Sequence, residues 1–206
     1  MHNHNPAAHK EHHGNPDDLE AYITKMEDPA RDAWQKPDEV LKTLGLKKGQ
    51  IICDIGAGPG YFSLRFAKAV GSEGHVYAID VELKMLEVLQ KRMSQAKVSN
   101  ITRVHADPED TLLPKKVCDW IVIVDTYHHF PEGVAYLRQL KTKLTPGGRL
   151  VNIDFHKKEL PLGPPVDHKI AREDFIKDAQ TAGFTVIQEP TFLPYQYFII
   201  MKSSDS

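Results

Sequence analysis

Apolar residues fall into short continuous runs, and between the runs they recur at three- and four-residue intervals. A short apolar run bounded by turn residues reads as a buried strand, and the wider spacing reads as one face of a helix. Ile51–Ile55 is the first such run, and residues 60–70 follow with helical spacing. A strand at 75–79 leads to a helix at 82–96, where Leu83, Leu86 and Leu89 share one face. A strand at 101–105, a polar loop at 106–116 and the run Asp119–Val124 come next. A helix at about 132–144, the turn Thr145–Gly148 and the strand Arg149–Asp154 complete the alternation. Strands that alternate with helices need crossover connections, so their sheet is mainly parallel.

Both ends depart from this rhythm. Upstream, Asp28-Pro29 pairs a capping acid with a first-turn proline and opens a short helix to about Gln35. Pro37-Asp38-Glu39 opens a second helix, which Gly45 closes. Downstream, a loop with Pro161, Pro164 and Pro165 precedes a helix over Arg172–Ala182. Two strands then follow directly, Phe184–Gln188 and Tyr195–Met201. The connector through Pro190 and Pro194 is too short for a crossover helix, which predicts an antiparallel hairpin. The fold class is therefore α/β: a three-layer, doubly wound, seven-stranded and mostly parallel sheet with an antiparallel C-terminal hairpin. Residues 19–206 read as one domain, with 19–46 as a helical lid and 1–18 as a disordered His-rich tail.

Composition narrows the classes. A chain of 206 residues can bury one ordinary core. The net charge of -2 and a pI near 6.6 give no basic footprint for nucleic acid or an acidic membrane. No apolar run approaches the roughly 18 residues of a membrane span, and the polar N-terminus lacks a signal-peptide core, so a cytoplasmic location is expected. Cys53 and Cys118 lie inside apolar runs and read as buried thiols rather than a disulfide, in keeping with a reducing compartment. Five of the eleven histidines fall within Met1–His13. Their spacing matches no defined ligand set, so a solvated tail is expected and no metal centre, with metal binding by the tail as the alternative.

The candidate chemistry begins at Asp54-Ile55-Gly56-Ala57-Gly58-Pro59-Gly60, where a strand breaks into a glycine turn. Such a turn lets backbone approach a ligand closely. The spacing is G-x-G-x-G, not the G-x-G-x-x-G of dinucleotide sites. Asp54 would repel a pyrophosphate but favour a cofactor that carries an ammonium group. Asp80, closing the second strand, is placed to meet a ribose diol. S-adenosylmethionine has the ammonium, the ribose and no phosphate.

With Asp54–Gly60, Asp80, Ala106-Asp107, Asp119–Asp125 and Leu144–Gly148 in this order, the chain resembles the class I S-adenosylmethionine-dependent methyltransferases. It is most similar to the ubiquinone/menaquinone group, over residues 30–202. The resemblance implies that Asp54, Gly56, Ala57 and Gly58 hold the methionine end of the cofactor. Asp80 would take the ribose, Val81 would lie against the adenine, and the backbone around Asp125 and Thr126 would line the methionine side. Asp107 is the choice for the adenine amino group among Asp107, Glu109 and Asp110. For Asp54 and Asp80 the competing expectation is a helix cap.

Chemistry is expected at the carboxyl end of the fourth strand, in Asp125-Thr126-Tyr127-His128-His129-Phe130. His128 is the candidate pocket residue or general base, against a structural role for both histidines. The acceptor side would be covered by Tyr22, Met26, Arg31 and Trp34 of the lid, by the loop from Asp154 to His168, and by Tyr195 and Tyr197. Of these, Trp34 and Tyr195, together with Tyr127, are the candidate substrate contacts. A methyltransferase acting on a small-molecule acceptor is the leading expectation. A nicotinamide-dependent oxidoreductase and a non-catalytic cofactor- or metal-binding protein are the alternatives.

Overall fold

The computed structural model describes residues 19–204, so the His-rich tail and the roles considered for it lie outside the described residues. Seven strands form one sheet: β1 Ile51–Ile55, β2 His75–Asp80, β3 Ile101–His105, β4 Cys118–Val124, β5 Leu144–Phe155, β6 Phe184–Gln188 and β7 Gln196–Ser203. Their order is β3-β2-β1-β4-β5-β7-β6. The first five run parallel, and β7 lies antiparallel to both β5 and β6. The expected architecture, including the reversed strand, is the one observed.

Among the described residues three α-helices precede the sheet, α1 Leu19–Met26, α2 Arg31–Gln35 and α3 Pro37–Leu44. Four lie between strands: α4 Ser63–Val70, α5 Leu83–Ala96, α6 Gly133–Lys143 and α7 Arg172–Thr181. One face of the sheet packs against α3, α4 and α5, with Val40, Phe66, Val70, Leu86 and Leu89 buried there. The other packs against α6 and α7 through Leu137, Leu140, Phe175 and Ala179. Central strands covered on both faces need no polar side. β4 accordingly has Trp120 to Val124 buried without interruption.

Several boundaries differ from the sequence expectation, most of them by one residue. Helix α4 starts at Ser63 rather than residue 60, because Gly60 holds a φ of 86° that no right-handed helix contains. Strand β5 begins at Leu144 and absorbs the expected turn, since Leu144 pairs with Cys118. Strand β7 extends to Ser203.

The cysteines are the clear correction: Cys53 and Cys118 are joined in a disulfide, with Cα atoms 5.9 Å apart. Strict alternation would put Cys118 on the face of Trp120, away from Cys53. An irregularity between Cys118 and Trp120 breaks that alternation, and Cys118 turns into the cluster that holds Cys53. The step from free thiols to a reducing compartment falls with the expectation.

Candidate functional site

The carboxyl ends of β1, β2, β4 and β5 converge around the glycine turn. Its backbone is fixed first, with the N–H groups of Gly56 and Ala57 donating to the Ile79 carbonyl at 2.8 and 3.0 Å. Gly56 sits at φ 72°, and a Cβ there would run into the Thr126 side chain. Asp80 then ties the turn to the next helix. Its Oδ2 accepts from the Gly58 N–H at 2.7 Å and its Oδ1 from the Glu82 N–H at 2.8 Å. The cap of α5 is Glu82, which accepts from Lys84, so the cap expected as an alternative for Asp80 belongs to its neighbour. Burial raises the Asp80 pKa, against the pull of these backbone donors.

Asp54 is buried and accepts a 2.5 Å hydrogen bond from the Ser63 hydroxyl. It is therefore tied to the start of α4, close to the competing helix-cap expectation. Burial pushes its pKa up to about 7, only partly offset by Ser63. Val81 and Leu83, just past β2, are 46% and 49% exposed, an apolar shelf that a flat aromatic base would cover. Asp107 is exposed beyond β3 and opens a tight turn, its main chain bridging to Asp110. The Asp110 carboxylate is occupied by the Leu112 N–H at 2.9 Å, which leaves Asp107 the freer of the two.

Asp125 follows β4 with a left-handed φ of 53°, unusual for a residue with a side chain. Gln196 of β7 donates to its Oδ1 at 2.5 Å, and Arg31 of α2 lies 3.7 Å from its Oδ2. Gln35 continues the chain, donating to the Gln196 Oε1 at 2.6 Å and accepting from Arg31 at 3.1 and 3.3 Å. Gln35 and Gln196 are both buried. Burial and the charge of Asp154 push Asp125 up to about 7, while Arg31 and the Gln196 hydrogen bond oppose the shift.

The helical turn Tyr127–His129 places His128 against Asp154, at the end of β5, with Nδ1 and Oδ2 3.1 Å apart. Burial works against charge on His128, but Asp154 and then Asp125 outweigh it, and the pKa rises above the ordinary value. His129 points to the surface, its ring 4.2 Å from that of His128. Tyr127 goes the other way. Its ring packs on Phe130 and Phe175, and its hydroxyl donates to Asp178 of α7 at 2.8 Å, a core position rather than an acceptor wall.

Residues of α1 and α2 reach the site. Met26 lies over the turn, its Cε 2.6 Å from where a Cβ of Gly58 would be. Arg31 stacks on Tyr61 at 4.0 Å, and Trp34 meets Phe155 at 5.6 Å and Tyr195 at 6.4 Å. Trp34 and Tyr195 are thus brought together beside the β5 end. Sequence reasoning missed Gln35, Gln196 and the partnership of Asp154 with His128. The available signal was Gln196, a lone amide between Tyr195 and the apolar run from Tyr197. Among the described residues no cluster of metal-ligating side chains occurs, and no helix is long and apolar enough to cross a membrane.

The donor set fits S-adenosylmethionine, with carboxylates at the carboxyl ends of β1, β2 and β4, a glycine-rich turn and the Val81 shelf. The comparisons agree. The family described as "Methyltransferase domain" matches residues 46–192. A demethylmenaquinone methyltransferase of Listeria monocytogenes is 28% identical over 128 residues, 62% of this chain and 53% of that protein. One from Staphylococcus aureus is 30% identical over 129 residues, 63% of this chain and 52% of that protein. The chain therefore spans about half the length of the curated relatives it matches. A SAM-dependent methyltransferase from Aquifex aeolicus superposes with a TM-score of 0.84 at 29% identity, covering 88% of this chain and 96% of that one. By sequence family and by fold, this chain belongs to the methyltransferase-domain family.

Proposed function

We propose that the protein transfers the methyl group of S-adenosyl-L-methionine to a small-molecule acceptor. The observation that carries this reading is the ring of Asp54, Asp80 and Asp125 on three adjacent strand ends around the glycine turn. Such a ring suits a cationic nucleoside and disfavours a pyrophosphate. Asp80 takes the ribose, Val81 covers the adenine and Asp107 meets its amino group. Gly56, Ala57 and Gly58 face the methionine end, with Asp54 behind them and Asp125 across from them. Helices α1 and α2 form the lid over this site. Trp34 and Tyr195 line the acceptor side, and His128 is the group placed for proton transfer. The acceptor is a small molecule rather than a nucleic acid, and the protein does not span a membrane.

When bound, the cofactor supplies an electrophilic methyl group, and the chain's own task is to orient the acceptor and exclude water. The Listeria and Staphylococcus proteins are named for demethylmenaquinone, which makes a ring hydroquinone the first acceptor to try. Calorimetry tests the cofactor half directly. S-adenosylmethionine and S-adenosylhomocysteine should bind and NADH should not, and Asp80→Ala should weaken binding roughly 100-fold through two lost charge-assisted hydrogen bonds. Binding of NADH alone would reverse the reading.

A further inference from the structure

Asp154 is completely buried at the end of β5, where an unpaired carboxylate is costly. Both its oxygens are engaged. Oδ1 accepts from the Phe155 N–H at 2.8 Å, and Oδ2 lies 3.1 Å from His128 Nδ1. The nearby Tyr197 of β7 directs its hydroxyl elsewhere, to Ile170 O at 3.5 Å, and accepts from Asn152 at 3.4 Å. A carboxylate accepts only, so the shared hydrogen sits on Nδ1. Neutral His128 then carries its lone pair on Nε2, at the far side of the ring from Asp154. The side chain of His128 is only 6% exposed, so one tautomer and one ring orientation are held.

We propose that Asp154 is the positioning residue of a His128 general base, and that the acceptor is a weakly acidic hydroxyl on an aromatic ring. This rests on the methyl-transfer reading. As the acceptor oxygen bonds to the methyl carbon, the sulfur–carbon bond breaks with its electron pair left on sulfur. The hydroxyl proton passes to Nε2, and the imidazolium is stabilised by Asp154. An imidazole can take a proton from a phenol-like group titrating near 10, but an alkyl alcohol is too weak an acid for it. Trp34, Phe155 and Tyr195 gather from the residue next to Asp154 onward and suit a flat ring.

The groups that set the His128 titration come from several elements. Asp154 faces it from β5 and Asp125 from the end of β4, with the His129 ring tilted beside it. Arg31 of α2 and Tyr22 of α1 act through Asp125, and Tyr197 of β7 faces Asp154.

Histidine NMR of the full chain tests the pair without any acceptor. His128 should show the Nδ1–H tautomer and titrate above 6.5, and Asp154→Asn should lower that midpoint by about one unit or more. S-adenosylmethionine affinity should stay within about threefold. A midpoint at or below 6.5, or one that Asp154→Asn does not move, overturns the pair. Loss of cofactor binding in the wild type would instead overturn the methyl-transfer reading.

The acceptor class is tested with hydroquinone, catechol, 2-mercaptoethanol and benzylamine as probes, following S-adenosylhomocysteine formation. Turnover of a phenolic probe is expected, rising with pH through the NMR midpoint. Asp154→Asn should reduce kcat roughly 100-fold with KM little changed. Failure of both phenolic probes, or a His128→Ala variant that retains the wild-type rate, overturns the proposal.

Discussion

The two halves of the site are held in different ways. On the β1–β2 side the polar side chains are tied by neighbours in sequence, Asp54 to Ser63 nine residues on and Gly58 to Asp80 twenty-two residues on. On the β4–β5 side the ties span the chain, with Gln35 to Gln196 separated by 161 residues and Gln196 to Asp125 by 71. The first half is held by ties within one contiguous stretch, from β1 through the turn and α4 to β2. The second exists only once the whole sheet is assembled. The glycine-turn half therefore rests on local geometry, and the half around Asp125 on tertiary structure.

The contrast can be broken most severely beneath the sheet. The Cys53–Cys118 disulfide bridges β1 and β4, one strand from each half, across 65 residues. Loop closure over that length is worth about 4 kcal/mol. Replacing both cysteines by serine should lower the melting temperature by roughly 8–16 °C under oxidising conditions. The two proteins should melt alike in reductant.

A pH scan probes the local half with a similar effect. The pKa of Asp54 is raised in the folded state to about 7, chiefly by burial. A raised carboxyl contributes stability that is fully present below its unfolded value and is lost as pH rises through about 7. Asp125 behaves in the same direction. Denaturant unfolding should therefore show stability falling between pH 4 and 8. Asp54→Asn should flatten the fall by on the order of 3–4 kcal/mol, leaving the Asp125 share.

Gly56→Ala separates strain from packing in the same half. It should cost about 3 kcal/mol and abolish cofactor binding, since both the positive φ and the Thr126 contact oppose it. Adding Thr126→Ala should restore about half of that stability, read by chemical denaturation.

The smallest effect belongs to the long-range half. Gln35→Leu leaves the buried Gln196 Oε1 without its donor and should cost about 2 kcal/mol, with cofactor affinity little changed. Gln196→Leu added to it should cost much less than the sum, a coupling that a double-mutant cycle measures. Additive losses would show that the lid and β7 act independently.

The same division explains how much was legible beforehand. The succession of strands and helices, the antiparallel C-terminal pair and the residues of the glycine turn follow from apolar runs and local turn chemistry, both of which act over short distances. The rest depended on what the sheet brings together. Nothing local marks Asp154 as the partner of His128, because β5 meets β4 only in the assembled sheet. Tyr127 pointed into the core because a single helical turn after β4 replaced the alternation of a strand. Cys118 faced Cys53 because one irregularity reversed its side. Gln35 was read as the last residue of a lid helix, and its burial depends on β7 arriving beside it.

The position of β7 also has a consequence for synthesis. Among the described residues it follows every other strand in sequence, yet it lies between β5 and β6, so β6 has no place in the sheet until β7 has inserted. A nascent chain that has completed the cofactor turn and β5 still shows the β5 edge as a row of unpaired N–H and C=O groups. Closing that edge and delivering Gln196 to Asp125 are one event. A chain stalled before residue 196 would hold the glycine turn without the Gln196–Asp125 contact, and an open edge through which neighbouring copies can aggregate.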